Sequence, residues 1–428
     1  MAGTRPRVGV MYTAQSSVTR EGEYLARYVA LCMAAGGLCA RVDVVAMPHG
    51  AATGAGIDRQ REQEMPQQNP SALRSDGVVV DRKRLKDKYG ETMDVGVLSD
   101  CHVWVLCLDV EATAAAVTVL QKRTRKVSTK NKRVIVSLQN GDRKIQDLES
   151  SFADCIVLNG GVGFHVVPNK HDVLYPMVHG CYFIERLSND KVKALYVLDL
   201  FESTGIQALS RRNVHSLKWG ISLLRIFYYI NALTDQTVIE SLRDRSCRLV
   251  FLQGLHEVYS LLEVIMAPVA ADQSRKKQLG APSWEPDTIG ATYMSVYALM
   301  LVLPLPNWIF NSFVLRFLDV GLASNAKAQS MIKRDVEANL RTTFSTDYHD
   351  FFALAAGRNT TLPTLEFLKA TLATVYSNQR GVPALRGDVM LAKVGVTAAA
   401  KAHARTFYLK VIVTLTATAL LLIFLLVL

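Results

Sequence analysis

Short apolar runs rich in β-branched residues alternate with longer helical stretches through the first half of the chain. In order, the runs are strand-like at residues 8–11, helical at 21–36, strand-like at 42–46 and 103–108, helical at 112–123 and strand-like at 134–138. This alternation is typical of βαβ units on a mostly parallel sheet. Beyond about Arg212 the pattern changes to long helical runs, at residues 214–233, 237–266 and 326–340. The sequence therefore predicts an α/β domain over residues 1–212 and an all-helical domain over 213–400.

Two segments interrupt this pattern. Residues 47–75 are polar, contain proline and glutamine, and show no periodicity, so we expect an exposed, partly disordered insertion. Residues 290–315 carry no charge, but Pro304 and Pro306 stand in the middle of the stretch. Because proline interrupts helical hydrogen bonding, the favoured interpretation is a buried helix, a break and a second helix. A loop that dips into a membrane is the alternative.

The last 18 residues, 411–428, contain no charged side chain. As a helix they extend about 27 Å, close to the hydrocarbon thickness of a bilayer, and Phe407 and Tyr408 suit the interface. We therefore expect a transmembrane helix over about 407–428, within a tail anchor formed by 401–428. A buried terminal helix is the alternative, but the segment has no polar stripe for solvent. Basic residues before the span predict a single-pass membrane protein whose amino-terminal domain faces the cytosol; they are Lys401, Arg405 and Lys410.

The net charge of +11 is concentrated in two clusters, at residues 82–88 and 122–133. Neither cluster interleaves aromatic residues with the basic ones, so a nucleic-acid partner is not expected. A solvated surface is the simplest interpretation, and contact with the anionic headgroups of a lipid bilayer is the alternative. The seven cysteines are odd in number and show no CxxC spacing, which favours reduced thiols. The nine histidines form no spaced ligand pair, and no metal site is predicted.

Several motifs occur in a characteristic order. A strand-like run ends in the tripeptide Gln-Asn-Gly at 139–141, and a glycine-rich segment follows at 159–167. A later helical run begins near Trp219 and extends to Asn231. In order and spacing, these motifs resemble the ketopantoate reductase (2-dehydropantoate 2-reductase) family over most of residues 7–395. The resemblance implies a Rossmann-like NADPH-binding domain followed by the helical domain of that family, to which this chain adds the expected transmembrane helix.

The features that bind the cofactor in that family are largely absent here. The family's first strand ends in a GxGxxG turn, whose glycines let backbone N–H groups approach the pyrophosphate. By the resemblance, residues 12–17 occupy this turn without a glycine, and Tyr12 is expected to project into the cofactor crevice. The basic residue for the 2′-phosphate falls near residues 47–48, and the next expected lysine is Leu108. No cofactor is therefore expected. The remaining candidates for cofactor binding are Asn140 and Gly141, with a turn at the end of the strand as the structural alternative.

The catalytic positions implied by the resemblance are also changed. The family's proton-donating lysine corresponds to Ile221, its supporting asparagine to Arg225 and its glutamate to Thr343. Isoleucine donates no proton, and arginine stays charged, although it can bind a carboxylate. Lys218, one helical turn before Ile221, is the candidate substitute. The candidate substrate-binding residues, with purely structural roles as the alternative for the last two, are Arg225, Asn231 and Ser330.

These features predict a membrane-anchored protein of the ketopantoate reductase type whose cofactor and catalytic sites are degenerate. Such a protein acts as a binding or scaffolding module that faces the cytosol, with an unidentified protein partner and a small acidic molecule as a further candidate ligand. The alternative is an active NADPH-dependent 2-keto acid reductase that uses Lys218 or Arg225 in a rebuilt site. Changes at both the cofactor-binding positions and the catalytic positions favour the first hypothesis, because one substitution is easier to compensate than several.

Overall fold

Parallel strands form the centre of the amino-terminal half. The computed structural model describes residues 5–14, 20–48, 71–85, 87–109, 112–123, 132–139, 145–177, 180–185, 195–211, 214–271, 296–315, 329–379 and 381–395. In chain order the strands are β1 (Arg7–Ala14), β2 (Arg41–Pro48), β3 (Ser71–Leu73), β4 (Val79–Val80), β5 (Tyr89–Thr92), β6 (Val103–Cys107), β7 (Val134–Ser137), β8 (Ile156–Val162), β9 (Val166–Pro168), β10 (Val173–Pro176), β11 (Tyr182–Glu185) and β12 (Ala208–Arg211).

The main sheet has eight strands in the order β12-β11-β8-β7-β6-β1-β2-β5. The six strands from β8 to β5 are all parallel, whereas β11 runs antiparallel to β8 and parallel to β12. Parallel neighbours need crossover connections, which the helices between the strands supply. The predicted α/β domain with a mostly parallel sheet is confirmed.

Helices flank this sheet and make up the second half. They are α1 (Glu21–Gly36), α2 (Thr113–Arg123), α3 (Ile145–Ser151), α4 (Leu195–Glu202), α5 (Val214–Ala232), α6 (Val238–Arg243), α7 (Arg245–Ala271), α8 (Val296–Val302), α9 (Asn307–Ile309), α10 (Met331–Glu337), α11 (Phe344–Asp347), α12 (His349–Ala356), α13 (Pro363–Asn378) and α14 (Gly387–Val394). In chain order, β12 is the last described strand, and the helical half begins with α5.

Both faces of the main sheet are covered. On one face, Val10 and Tyr12 of β1 belong to the core that α1 closes. On the other face, Met11 packs with side chains of α2 and α3. The first core continues into the helical half through Leu223 and Ile226 of α5. The two halves of the molecule therefore share one hydrophobic core.

Tyr12 lies in β1 and not in the turn after it, where the family resemblance had placed this residue. β1 continues to Ala14, and Tyr12 pairs with Ala46 on β2 and Cys107 on β6. Its side chain is 3% exposed, and the Arg27 guanidinium lies 5.8 Å from its ring centroid. Burial raises the pKa of Tyr12 to about 12. The expectation that Tyr12 projects into the cofactor crevice is wrong, because β1 continues past its apolar run into polar residues.

Both ends of the predicted insertion, 47–75, contain residues of β-strands. β2 extends through residue 48, and β3 joins a four-stranded sheet with the order β4-β3-β10-β9. In this sheet β3 runs parallel to β10, with Ser71 opposite Val173. A strand whose partner lies so far along the chain leaves little signal in local composition. Residues 49–70 lie outside the described part of the chain.

The continuous helical run predicted over residues 237–266 is two helices, α6 and α7, separated by Asp244. The Asp244 carboxylate accepts a hydrogen bond from the backbone N–H of Ser246 at 2.8 Å, at the start of α7. Thr237 and Glu240 form a capping box at the start of α6. An aspartate that binds nearby backbone N–H groups competes with the helical ladder, and here it divides the run.

The described part of the uncharged stretch, 296–315, has the helix, break and second helix that its prolines predict. α8 ends before the prolines, and α9 begins after them and continues as a π-helical turn (Phe310–Val314). Arg248 of α7 binds the backbone of the break, with Nε 2.9 Å from the Leu303 oxygen and Nη2 2.8 Å from the Leu305 oxygen. The break is therefore stabilised by a buried cation.

Among the described helices, none is both long enough and apolar enough to cross a bilayer. The predicted anchor, 401–428, lies outside the described residues, as does most of the basic cluster at 122–133. Arg133 of that cluster is buried, with its guanidinium 4.1 Å from the Trp104 ring centroid and its Nη2 2.8 Å from the Ser99 oxygen. This arginine therefore contributes to packing rather than to a basic surface.

Candidate ligand-binding cleft

A cleft opens where the amino terminus of α1 meets the carboxyl ends of β6 and β7. Open α/β sheets bind their ligands at this edge. Gly22, in the first turn of α1, faces the backbone oxygen of Cys107 at the end of β6. A Cβ at Gly22 would lie 2.5 Å from that oxygen, so a side chain here would push the helix off the strand. Dinucleotide-binding folds use a glycine for the same close approach of helix and strand, and this chain retains one.

The described part of the cleft wall is acidic and apolar. Three carboxylates line it, from Glu21 on α1, Asp109 after β6 and Asp347 on α11. Leu108 and Gln139 line it from the strand ends. The described lining residues include no lysine or arginine. The cavity between these walls measures about 40 Å³, room for about three water molecules.

Arg225 of α5 is enclosed by two of these carboxylates. Its Nη1 and Nη2 donate to Oε1 and Oε2 of Glu21 at 2.8 and 2.9 Å, which is a bidentate pair. Its Nε donates to Oδ2 of Asp347 at 3.0 Å, and Nη2 also donates to Oγ1 of Thr343 at 3.3 Å. The Arg225 side chain is 2% exposed. Its guanidinium is therefore committed to groups of the protein itself.

Two hydroxyl groups support the carboxylate of Asp347. The Tyr229 hydroxyl donates to Asp347 Oδ2 at 2.8 Å, and the Thr343 hydroxyl donates to the same oxygen at 3.0 Å. Thr343 thus accepts from Arg225 and donates to Asp347, a consistent chain of donors and acceptors. The buried polar groups around the arginine form a connected network.

His165 completes the network on the side of the sheet. Its Nδ1 lies 3.1 Å from Oε1 of Glu21, and its ring packs edge-on against Tyr228 with 5.0 Å between centroids. Glu21 and His165 belong to the sheet half, whereas Arg225 belongs to the helical half. The network, named here the Arg225 cluster, therefore bridges the two halves; its members are Glu21, His165, Arg225, Tyr229, Thr343 and Asp347.

The pKa values in the Arg225 cluster follow from one cation that faces two carboxylates. Burial alone raises the pKa of Glu21, but the Arg225 charge and hydrogen bonds from His165 and Arg225 hold that pKa well below its usual 4.5. Burial lowers the pKa of Arg225, and Asp347 and Glu21 together raise it well above its ordinary value. Burial raises the pKa of Asp347, and the Glu21 charge adds to this rise while Arg225 opposes it. Glu21 is thus the more firmly ionised carboxylate.

Glu21→Gln is expected to lower the free energy of unfolding at neutral pH and to flatten its dependence on acid pH. Because the folded-state pKa of Glu21 lies below 4.5, the unfolded chain takes up more protons on acidification. The stabilisation from Glu21 is fully present above about pH 5 and is lost as the pH falls through the folded-state pKa. Urea unfolding of both proteins across the acid range measures the effect, with Glu202→Gln as the exposed control. Parallel pH profiles for wild type and Glu21→Gln would contradict it.

Asn231 and Ser330 do meet, but outside the described cleft. Asn231 is fully buried, and its Nδ2 donates to the Gln236 oxygen at 3.0 Å and to Ser241 Oγ at 2.9 Å. The Ser330 hydroxyl donates to Asn231 Oδ1 at 3.3 Å and accepts from the backbone N–H of Lys333 at 3.1 Å. These bonds hold the end of α5 to α6 and α10. Ligand binding by either residue stays a prediction.

The other predicted site residues are distributed around α5 and the cleft. Lys218 is 4% exposed and lies two helical turns before Arg225, and it is not among the described lining residues. Ile221 packs in an apolar cluster with Phe183 of β11. Leu108 lines the cleft. Outside the described residues lie Asn140 and Gly141. Within the described residues, no group of three histidine, cysteine or acidic side chains is arranged to hold a metal ion.

The carboxylates of the cleft are what the sequence analysis missed. Acidic residues are common in the first turn of a helix because they complement its dipole, so Glu21 carried no specific signal. Asp347 follows Thr343 by one helical turn, which was a weak sign of a shared site. Glu21 and Arg225 are 204 positions apart, and Arg225 and Asp347 are 122 apart. No local spacing reveals such partners.

No protein-family model and no curated protein sequence matches this chain. Solved structures do match it. A PanE/ApbA family ketopantoate reductase from Ralstonia eutropha JMP134 is 14% identical with a TM-score of 0.55, covering 87% of this chain and 99% of its own. A 2-dehydropantoate 2-reductase from Methylococcus capsulatus is 14% identical with a TM-score of 0.51, covering 87% of this chain and 98% of its own. The chain has the ketopantoate reductase fold. The resemblance inferred from the motifs is thereby confirmed at the level of the fold.

A third solved structure extends the comparison to another activity. D-mandelate dehydrogenase, in a ternary complex with NADH and anilino(oxo)acetate, is 12% identical with a TM-score of 0.53, covering 86% of this chain and 99% of its own. The ketopantoate reductase fold is therefore shared by enzymes with different substrates. Function in this chain has to be argued from its own residues.

Within the ketopantoate reductase fold, the described cleft does not fit the phosphates of a dinucleotide. The pyrophosphate in such folds lies at the amino terminus of the first helix, where backbone N–H groups face it. Here the carboxylate of Glu21 stands in that first turn, and Asp109 and Asp347 line the same cleft. Residues 15–20, between β1 and α1, include no glycine. Among the described lining residues, these features oppose a polyanion such as the pyrophosphate of NADPH.

Proposed function

We propose that this protein is a non-catalytic, membrane-attached module with the ketopantoate reductase fold, which acts by binding or scaffolding. One observation carries the proposal. Arg225, the residue best suited to bind a substrate carboxylate, is bound instead by Glu21 in a bidentate pair and by Asp347. An internal carboxylate thus occupies the place that an acidic substrate needs.

Electrostatic repulsion at the amino terminus of α1, where dinucleotide-binding folds hold the cofactor phosphates, supports the same proposal. Two like charges about 4 Å apart repel by about 4 kcal/mol at an effective dielectric constant near 20. A dissociation constant of about 1 mM corresponds to a binding free energy of about 4 kcal/mol. Arg225 balances only one of the two charges of Glu21 and Asp347, so one net negative charge remains to repel a cofactor phosphate, and this repulsion offsets about as much free energy as a millimolar site gains.

Proton supply is also unfavourable beside the cleft. Reduction of a keto acid needs a proton donor next to the developing alkoxide. Ile221, at the position implied by the resemblance, has no such proton. The Tyr229 hydroxyl donates to Asp347, and burial together with the Asp347 charge raises the pKa of Tyr229 well above its usual value. A tyrosine in this state is a weak acid, which supports a non-catalytic role.

Membrane attachment is the second part of the proposal. Residues 411–428 are uncharged and long enough to cross a bilayer, and basic residues precede them. The positive-inside rule then places both folded halves in the cytosol, where a protein partner and, as a further ligand, a small acidic molecule are available. Flotation with phospholipid vesicles tests this part: the full chain is expected to float, and a chain that lacks 411–428 is expected to stay in the soluble fraction.

The decisive experiment for the cleft is an NADPH titration of the full chain in detergent, followed by cofactor fluorescence. We expect no saturation below about 1 mM and no NADPH oxidation with ketopantoate or related 2-keto acids. Ile221→Lys is expected to leave both results unchanged, because a proton donor does not relieve the charge in the cleft. Saturable binding in the micromolar range would overturn the non-catalytic proposal.

An active NADPH-dependent 2-keto acid reductase is the second candidate function. It is favoured by one specific observation: Arg225 is a buried cation bound to the cleft carboxylates Glu21 and Asp347, and Lys218 lies two turns before it on α5. If Glu21 moves aside, Arg225 can bind a substrate carboxylate. In that case the same titration gives turnover, and Lys218→Ala abolishes it while Lys393→Ala, on the exposed side of α14, does not.

A further inference from the structure

Two large aromatic side chains stand exposed on the short helix after the proline break. Trp308 is 69% exposed and Phe313 is 62% exposed, the highest values among the large hydrophobic side chains that the structure describes. The opposite side of the same segment is buried, with Phe310 fully covered and Leu315 at 6%. The segment is therefore anchored in the core by one side and presents an apolar surface with the other.

Two exposed arginines, at the end of α6 and the start of α7, lie next to the proline break that precedes this aromatic pair. Arg245 Nε donates to the Pro304 oxygen at 3.3 Å, and Arg248 links the backbone oxygen of Arg243 to Asn307 Oδ1, at 3.1 and 3.0 Å. Arg243 and Arg245 are both exposed at the surface. The acidic residue between them points inward, where its carboxylate accepts from the backbone N–H of Ser246 and from Cys247 Sγ. The described surface next to the proline break therefore carries two basic side chains; we refer to Arg243, Arg245, Trp308 and Phe313 together as the Trp308 patch.

We propose that the Trp308 patch contacts an anionic phospholipid bilayer, with its two aromatic rings among the headgroups and its two arginines on the lipid phosphates. Tryptophan suits the membrane interface because its ring is amphipathic, and basic residues are attracted to the surface of an anionic bilayer. No charged residue occurs from 290 to 315, so insertion of this helix buries no charge from the segment. The inference rests on the membrane attachment proposed above and adds the orientation of the domain.

The length of chain before the hydrophobic segment allows this orientation. Residues 395–410 separate the end of α14 from residues 411–428. Sixteen residues span at most about 55 Å when extended, enough to let either side of the folded part face the membrane. Residues 411–428 would therefore bring the folded part to the bilayer, and the Trp308 patch would determine which face of the folded part is turned toward the bilayer.

Tryptophan fluorescence of the full chain in vesicles of mixed phosphatidylcholine and phosphatidylserine tests the proposal. The spectrum of a Trp308→Phe variant is subtracted from that of wild type, which isolates the Trp308 emission. Brominated lipids are expected to quench this difference emission by about half or more. Arg243→Gln with Arg245→Gln, or vesicles of phosphatidylcholine alone, is expected to weaken the quenching. A tryptophan placed on α4, as Tyr196→Trp in the Trp308→Phe background, should stay unquenched.

The outcomes separate the two proposals. If the full chain does not float with vesicles, membrane attachment is wrong and the Trp308 patch proposal falls with it. If it floats and the Trp308 emission is unquenched and remains at the wavelength of a water-exposed indole, the patch proposal alone is wrong. Unquenched emission that is shifted to the blue indicates a second protein surface on the patch, and this result also overturns the lipid contact.

Discussion

Arg225→Met is expected to lower the free energy of unfolding by about 3–5 kcal/mol, the range for removing one partner of a buried ion pair. The Glu21 and Asp347 side chains are 16% and 4% exposed, so both carboxylates lose their counter-charge where water compensates poorly. The substitution also removes the four hydrogen bonds that the Arg225 guanidinium donates. Urea unfolding of the full chain in detergent measures the change.

A triple variant separates the charge effect from packing. Glu21→Gln and Asp347→Asn, combined with Arg225→Met, replace the ions by neutral groups of similar size, and this protein is expected to recover most of the lost stability. Arg386→Met is the matched surface control, because Arg386 is 79% exposed and pairs only with its neighbour Asp388 among the described contacts. A loss below about 1 kcal/mol for Arg225→Met would show that the Arg225 cluster is not an essential support.

Arg248→Met is expected to be comparably damaging, with a loss of about 4 kcal/mol or more. Arg248 is fully buried. Its guanidinium donates to the backbone oxygens of Leu303 and Leu305 in the proline break and to the backbone oxygen of Leu242 at the end of α6. Methionine fills much of the volume but leaves these oxygens without donors, and each unsatisfied buried group costs about 1–3 kcal/mol.

Hydrogen exchange locates the effect of Arg248→Met. Amide protection is expected to fall first in residues 296–315, because Arg248 holds that segment to α7, whereas β1 should keep its protection. Arg386→Met again serves as the control. Uniform loss of protection across both halves would instead indicate global destabilisation, and unchanged protection in 296–315 would contradict the role given to this arginine.

The Arg225 cluster also bears on what the molecule can do. An enzyme that closes on a cofactor needs its two halves to separate and meet again around the cleft. In this protein the cluster spans the cleft, with Glu21 on the sheet side and both Arg225 and Asp347 on the helical side. Opening the cleft breaks a bidentate ion pair in a largely buried setting. An ion pair that holds the two halves together supports the binding or scaffolding role proposed above.

Much of the secondary structure could be predicted from the sequence. The predicted helix at 21–36 coincides with α1, and the strand-like run at 103–108 coincides with β6 to within one residue. These elements are defined by the spacing of apolar residues, which is a local property. The break in the uncharged stretch followed in the same way from Pro304 and Pro306, because proline removes a helical donor wherever it occurs.

Other features depended on contacts that local sequence does not encode. β1 continues past its apolar run because Thr13 and Ala14 pair with residues of β2, and this displaced Tyr12 from the turn into the core. β3 exists because β10 pairs with it, within a stretch that composition alone marked as an insertion. In each case the hydrogen-bonding partner comes from elsewhere in the chain and outweighs the local preference.

By itself, the sequence predicted most of the central strands and the helix α1 in their order, and the ketopantoate-reductase-like arrangement. These follow from residue types, short spacings and the resemblance; the absence of the glycine turn and the replacement of the family's lysine by Ile221 stay predictions from that resemblance. The tertiary structure alone decided that Arg225 faces Glu21 and Asp347, that the described cleft lining is acidic, and that Trp308 and Phe313 stand exposed after the proline break. The reason is physical: burial and ion pairing depend on distances in space, and folding sets those distances between residues that the chain keeps up to 204 positions apart.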